Sequence, residues 1–199
     1  MGNIKNIIGP LFIILIAVLI RLLPHPANFA PIAAMALFGG TYLNKKYSLF
    51  LVFGTLILSD YMLLYINPFS AEIFNFSKLY SPAALFHSTT LFVYGSFLFT
   101  ALIGIWLREH KSFKNVLTAC LSSSILFFLV TNFGVWAQGA YAREITGLWQ
   151  SYVMGIPFFK YTVLGDLFYT GLFFGGFELV SSLLKKRNYG YLYKERGQG

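Results

Sequence analysis

The chain has little of what soluble enzyme chemistry is usually built from. One cysteine, Cys120, and three histidines, His25, His87 and His110, occur in 199 residues. Neither a disulfide framework nor a multi-cysteine metal site can be assembled from them. No H-E-x-x-H, CxxC or paired-carboxylate spacing appears. "GVWAQG", "GDLFYTG" and "LFGG" lack the G-x-x-x-x-G-K-[ST] pattern, and no serine occupies a G-x-S-x-G elbow. Zinc-protease, Walker-type ATPase and elbow-serine hydrolase chemistry therefore have no signature here, and no metal or resident cofactor is expected. Charge is scarce too, at 11% of residues against about 25% in soluble proteins.

What is present is apolar and aromatic: 57% hydrophobic and 19% aromatic residues, with 22 Phe and 13 Tyr. That usage suits lipid contact and aromatic belts at membrane interfaces. Hydropathy predicts a single all-α, polytopic membrane domain over residues 1–199 with about six transmembrane helices, at about 7–23, 31–43, 47–66, 84–107, 115–137 and 161–184. Helices are expected because lipid-exposed backbone must satisfy its own hydrogen bonds and no strand-like alternation occurs. The second segment, within "NFAPIAAMALFGGTYLNKK", is short for a span, which needs about 20 residues. Lys5 and the apolar run after it resemble a signal peptide, but no small-x-small cleavage site follows "RLLPHP", so the first helix is expected to be retained. In "MGNIKN", Asn6 stands where myristoylation wants Ser or Thr.

The +8 net charge resolves into topology. In a six-helix arrangement, the N-terminus, the loops after the second and fourth helices and the tail 185–199 share eleven of the 15 basic residues. The opposite side holds Arg21, Lys78, Arg143 and Lys160, balanced by Asp60, Glu72, Glu144 and Asp166. Both termini are therefore expected in the cytoplasm, and the sequence provides no basic face for nucleic acid. The external connections, 67–82 and 138–160, are long, aromatic and broken by Pro68, Pro82, Gly147, Gly155 and Pro157. Long loops of that kind are more often functional than connective.

Polar groups inside apolar segments are costly and point to function by default. Arg21, Asp60, His87, Asn132 and Asp166 fall in the outer half of five different helices. Asn132 and Trp136 are four apart and Asp166 and Tyr169 three apart, so each pair shares a helix face. Together with Tyr141 and the lid residues His25 and Asn28, they compose a candidate pocket in which Trp136 and Tyr141 stack on a solute and polar groups orient it. The competing reading is an ion pair from Arg21 to Asp60 or Asp166, with His87 capping a helix. Glu178 is expected to snorkel toward Lys185, and Cys120 to be a core residue.

The short segment differs in kind. Ala33, Ala36 and Gly40 make one face nearly bare backbone, suited to close helix packing in lipid. That face can be buried within the chain or can dock a separate protein.

"RLLPHPANFAPIAAMALFGGTY", "FFLVTNFGVWAQGAY" and "GIPFFKYTVLGDLFYTGLFFG" resemble signature blocks of a family of small bacterial integral membrane proteins of unknown function. More distantly, the layout is similar to the S-component, or substrate-binding subunit, of energy-coupling-factor transporters. Those six-helix proteins bind a vitamin or metal near the outer face and present small residues to a transmembrane coupling protein with ATPases in trans. The resemblance implies the same for this chain in the bacterial inner membrane, with Ala33, Ala36 and Gly40 as the nearest counterpart of the coupling motif. It carries no ligand assignment, because S-components share architecture without sharing pocket residues.

Three functions follow as expectations. The first is a substrate-binding subunit for uptake of a small, vitamin-like solute. The second is a non-catalytic scaffold docking a partner through the Ala/Gly face. The third is a membrane enzyme using Asp60, His87 and Asp166 on a lipid-linked substrate, which requires these groups to converge on one reacting atom.

Overall fold

The computed structural model describes residues 5–67, 73–74 and 80–184. The tail 185–199 and most of the 67–82 connection lie outside the described residues. Six α-helices follow in order: α1 Lys5–Arg21, α2 Ile32–Tyr42, α3 Lys45–Leu63, α4 Thr90–Leu107, α5 Phe113–Ala137 and α6 Ile145–Thr170. A 3-10 turn over Pro82–Leu85 precedes α4, and a π turn over Gly171–Gly175 extends α6. The only strand-like feature among the described residues is one antiparallel bridge, Ile66 to Phe74.

Three helical runs are long and apolar enough to cross a membrane: Thr90–Leu107, Phe113–Ala137 and Ile145–Leu184. The last has 40 residues, which at about 1.5 Å per residue is about 60 Å, twice a bilayer's hydrocarbon core. α1 and α3 to α6 all turn Leu, Ile or Phe side chains outward, with Phe50, Leu91 and Phe113 more than three-quarters exposed. So large an apolar surface suits lipid and not water.

α2 is the centre of the bundle. Every residue from Ala33 to Thr41 is buried, and α1, α3, α4, α5 and α6 all contact it. A helix apolar on all sides belongs inside a structure rather than on its face. Its closest neighbour is α4, where a Cβ added at Gly40 would stand 2.3 Å from the Ala101 carbonyl oxygen and one at Gly104 would stand 2.3 Å from that of Leu37. The Ala33, Ala36 and Gly40 face expected to meet a partner is therefore enclosed within the chain: Ala33 is 6% and Ala36 0% exposed. Glycine removes the side-chain layer that separates most helix pairs, so two backbones meet where a partner would have docked.

Because α2 is buried, its last carbonyls need partners inside the protein. Arg108, just past the end of α4, supplies them: Nε donates to the Thr41 carbonyl at 3.1 Å, and Nη2 to Gly40 at 2.6 Å and also to Leu43. Burial pushes the pKa of this guanidinium below its ordinary value, with Glu109 opposing. Thr41 Oγ1 adds bonds to the carbonyls of Leu37 at 2.8 Å and Gly104 at 3.1 Å.

One expectation about the connections is corrected. Residues 145–160, read as part of an external loop, are the first turns of α6. Gly147, Ser151 and Gly155 recur every four residues and are all buried. Ser151 and Gly155 receive α5: Ser151 Oγ donates to the Asn132 carbonyl at 2.6 Å, and a Cβ on Gly155 would lie 2.3 Å from Asn132 Oδ1, while Gly147 packs on Ala142 of the preceding turn. Glycine and proline break helices in water, but an apolar environment and tight packing accommodate both. The remaining turn is brief: α5 ends at Ala137 with Gln138 as its cap, and Gly139 follows with a φ of 84°, the left-handed conformation glycine favours past a helix end.

Candidate functional site

The polar residues expected to converge divide into two groups. The first ties three helices together. Arg21, at the end of α1, donates to Ser59 Oγ and forms an ion pair with Asp60, both on α3, while Tyr94 Oη from α4 donates to the other Asp60 oxygen. The Arg21 and Asp60 side chains are only 15% and 22% exposed. This is the structural ion pair of the competing reading, extended by Tyr94 and Ser59. Neither charged residue lines the cavities described next.

The second group surrounds a cleft between α4, α5 and α6, roofed by the irregular segment before α2. Phe29 N–H donates to the Pro26 carbonyl at 2.9 Å, closing a turn in which Asn28 takes φ 63°. Asparagine tolerates that left-handed conformation better than most residues. The turn is pressed onto α6 at Gly165, where a Cβ would lie 3.0 Å from Phe29 Cα. The Phe29 ring meets those of Phe168 and Tyr169, with centroids 5.9 and 5.5 Å away.

Two cavities adjoin beneath this roof. The larger, about 270 Å3, runs beside Asn132, Thr131, Phe128 and Phe159. The smaller, about 70 Å3, is bounded by Ile32 and Ala33 at the start of α2, by Phe97, and by Asp166. Asn28, Phe127 and Thr162 line both. Phe97 pairs with Phe127 at 5.2 Å and Phe128 with Phe159 at 4.7 Å, so aromatic faces wall both levels.

Asp166 is 3% exposed. Its Oδ2 accepts a hydrogen bond from Ser124 Oγ of α5 at 2.6 Å, and Ser124 is itself fully buried. The start of α2 brings no capping side chain of its own, and its first residues, Ile32 and Ala33, line the same small cavity as Asp166. Asn132 Nδ2 donates back to the Phe128 carbonyl at 2.8 Å, which fixes the amide beside the larger cavity.

The other expected residues lie elsewhere. Trp136 Nε1 donates to the Ala142 carbonyl at 3.0 Å and its ring meets Phe133, so the indole fastens the α5–α6 turn instead of stacking on a solute. Tyr141 and Tyr169 line neither cavity; Tyr169 is packed among Phe29, Phe168 and Phe173. His25 Nδ1 lies 3.0 Å from the Pro26 carbonyl in the roof. His87 contacts Thr90 through both its backbone N–H and its ring, at the first turn of α4. Glu178 meets Lys111 and accepts from Tyr42 Oη at 2.6 Å; Lys185 lies outside the described residues. Cys120 is buried in the core.

At the opposite end of α2, a pocket of about 340 Å3 is lined by Thr41, Tyr42, Leu43, Asn44, Arg108 and Lys111. α2 thus has a cavity at each of its ends.

Sequence reasoning did not find Phe127, Thr162 and Ser124. The signal for Thr162 was its position four residues before Asp166 on one helix face. Ser124 lies in "CLSSSI", where no single hydroxyl stands out.

A family model matches residues 3–189, nearly the whole chain. The chain belongs to the family of unknown function DUF6580. No curated protein and no solved structure matches it. For this DUF6580 member, neither comparison shows the resemblance to S-components.

Proposed function

We propose that the protein is a multi-pass subunit of the bacterial inner membrane that binds a small solute from the outside, with six helices and both termini in the cytoplasm. The observation that carries this reading is the pair of adjoining cavities under the Asn28 turn. Their walls are mostly apolar, with five phenylalanines, and carry a few polar groups, among them Asn132, Thr162 and Asp166. That composition is usual for small-molecule sites, and the larger cavity approaches the about 300 Å3 at which such sites begin. The distribution of Lys and Arg supports the orientation, which puts the Asn28 turn outside and the Arg108 end of α2 inside.

Vitamin-like uptake with a coupling protein and ATPases in trans remains the transport scheme proposed. Such a partner would dock on the exposed apolar faces, because the Ala/Gly face is occupied by α4. A catalytic role has less support: His87, Asp60 and Asp166 share neither a hydrogen bond nor a cavity.

The test is a thermal-shift and native mass-spectrometry screen of the purified chain against water-soluble vitamins, amino acids and amines. A ligand that raises Tm in the wild type and loses its effect in Asn132→Ala supports the reading. No stabilising compound, together with no co-purifying small molecule, would overturn it.

A further inference from the structure

The walls of the two cavities are unequal in charge. Among the described residues that line them, Asp166 alone is ionisable. No Lys, Arg or His among the described residues lines either cavity, and Arg21 is committed to Asp60 and Ser59. Ser124 occupies one carboxyl oxygen, and Asp166 makes no other hydrogen bond to the described residues. Buried carboxylates are normally matched by a cation, because an isolated charge in an apolar interior is strongly disfavoured. The described residues bring no such partner to this cavity.

The surroundings suit an incoming cation. The small cavity, about 70 Å3, has room for a head group the size of an ammonium, since a water takes about 30 Å3 of liquid volume. The rings of Phe97 and Phe127 bound it, and an ammonium within about 6 Å of a ring centroid is attracted by the π face. The larger cavity continues from it past Phe128, Phe158 and Phe159. That second space is apolar and aromatic, with Asn132 and Thr131 at one wall.

We propose that the solute is a small organic cation: a protonated amine whose head pairs with Asp166 and whose apolar or aryl body lies along the phenylalanines. The inference rests on the solute-binding reading and names the chemical class of ligand. Asn28 and Thr162 line both cavities, and Thr162 Oγ1, which donates to the Phe158 carbonyl at 3.1 Å, keeps acceptor capacity for an ammonium.

The experiment compares three ring-matched probes on the full chain in nanodiscs by calorimetry and thermal shift at neutral pH: benzylamine, benzyl alcohol and benzoate. Benzylamine is expected to bind at least about tenfold more tightly than benzyl alcohol, with benzoate weakest. In Asp166→Asn the amine should fall to the level of the alcohol, while the alcohol is little changed. Should that variant fail to fold, the ranking of the three probes on the wild type decides by itself. If the alcohol binds as well as the amine, or the amine preference survives Asp166→Asn, the cation inference is overturned while solute binding stands. If none of the three gives a saturable signal, both readings are rejected.

Discussion

Gly40 and Gly104 face each other across the α2–α4 seam, and each denies the other room for a side chain. A Cβ on Gly40 would lie 2.9 Å from Gly104 Cα, and one on Gly104 would lie 3.1 Å from Gly40 Cα. The obstacles are backbone atoms, which cannot turn aside. Gly40→Ala is therefore expected to destabilise by about 1–3 kcal/mol, the usual range for overpacking. Gly95→Ala, where a Cβ meets nothing within 4 Å, should be near neutral. Unfolding midpoints of the two variants in one detergent check the contrast; equal midpoints would refute the close approach.

Arg108 completes the buried end of α2. Replacing it with Met should leave the carbonyls of Gly40, Thr41 and Leu43 short of their donors, costing about 1–3 kcal/mol for the unsatisfied groups. Arg108→Lys should recover only part of this, since an ammonium lacks the planar fork that reaches several carbonyls at once. Equilibrium unfolding of the three proteins measures the order; a lysine variant as stable as the wild type would count against the cap.

The Arg21–Asp60 pair should matter for stability and not for binding. A double-mutant cycle with Arg21→Met and Asp60→Asn is expected to show coupling of about 0.5–3 kcal/mol, as groups in one network do. Any solute found in the screen should keep its affinity in both single variants, because neither residue lines the cavities. Loss of binding in a variant that folds normally would show that the two polar groups act together after all.

Gly155 and Asn132 should couple through space. Gly155→Ala alone forces the Asn132 amide to move, since the new Cβ would come 2.3 Å from its oxygen. In an Asn132→Ala background that clash disappears, so the penalty of Gly155→Ala should shrink by at least about 0.5 kcal/mol. Additive penalties would mean the amide is not held against the glycine.

Hydropathy located the apolar segments well because each long run has lipid-facing Leu and Phe to declare it. It failed at 145–160, where Gly147, Gly155 and Pro157 look like loop residues yet lie within α6, Gly155 against Asn132 of α5 and Gly147 against Ala142 of the turn. The site was harder still. Knowing that Asp60, Asn132 and Asp166 occur at similar depth says nothing about how each helix is rotated, and rotation is what separates the ion-pair network from the cleft. The i, i+4 relation of Asn132 and Trp136 was sound locally, yet the indole swings to Ala142 because the following turn offers a carbonyl there. The shortness of α2 was visible from the outset, and its cause lay in five neighbours that no single segment reveals.

That shortness has an electrical side. α2 has 11 residues, about 16 Å of helix, and separates a cavity at its start from a pocket at its end. If water fills both, the insulating layer along this axis is about half the about 30 Å of a bilayer's hydrocarbon. A transmembrane voltage is then concentrated across the helix, so a charge held at Asp166 would already have crossed the conducting part of its path. A unit charge carried over those 16 Å would collect nearly the whole field energy, about 2.3 kcal/mol per 100 mV.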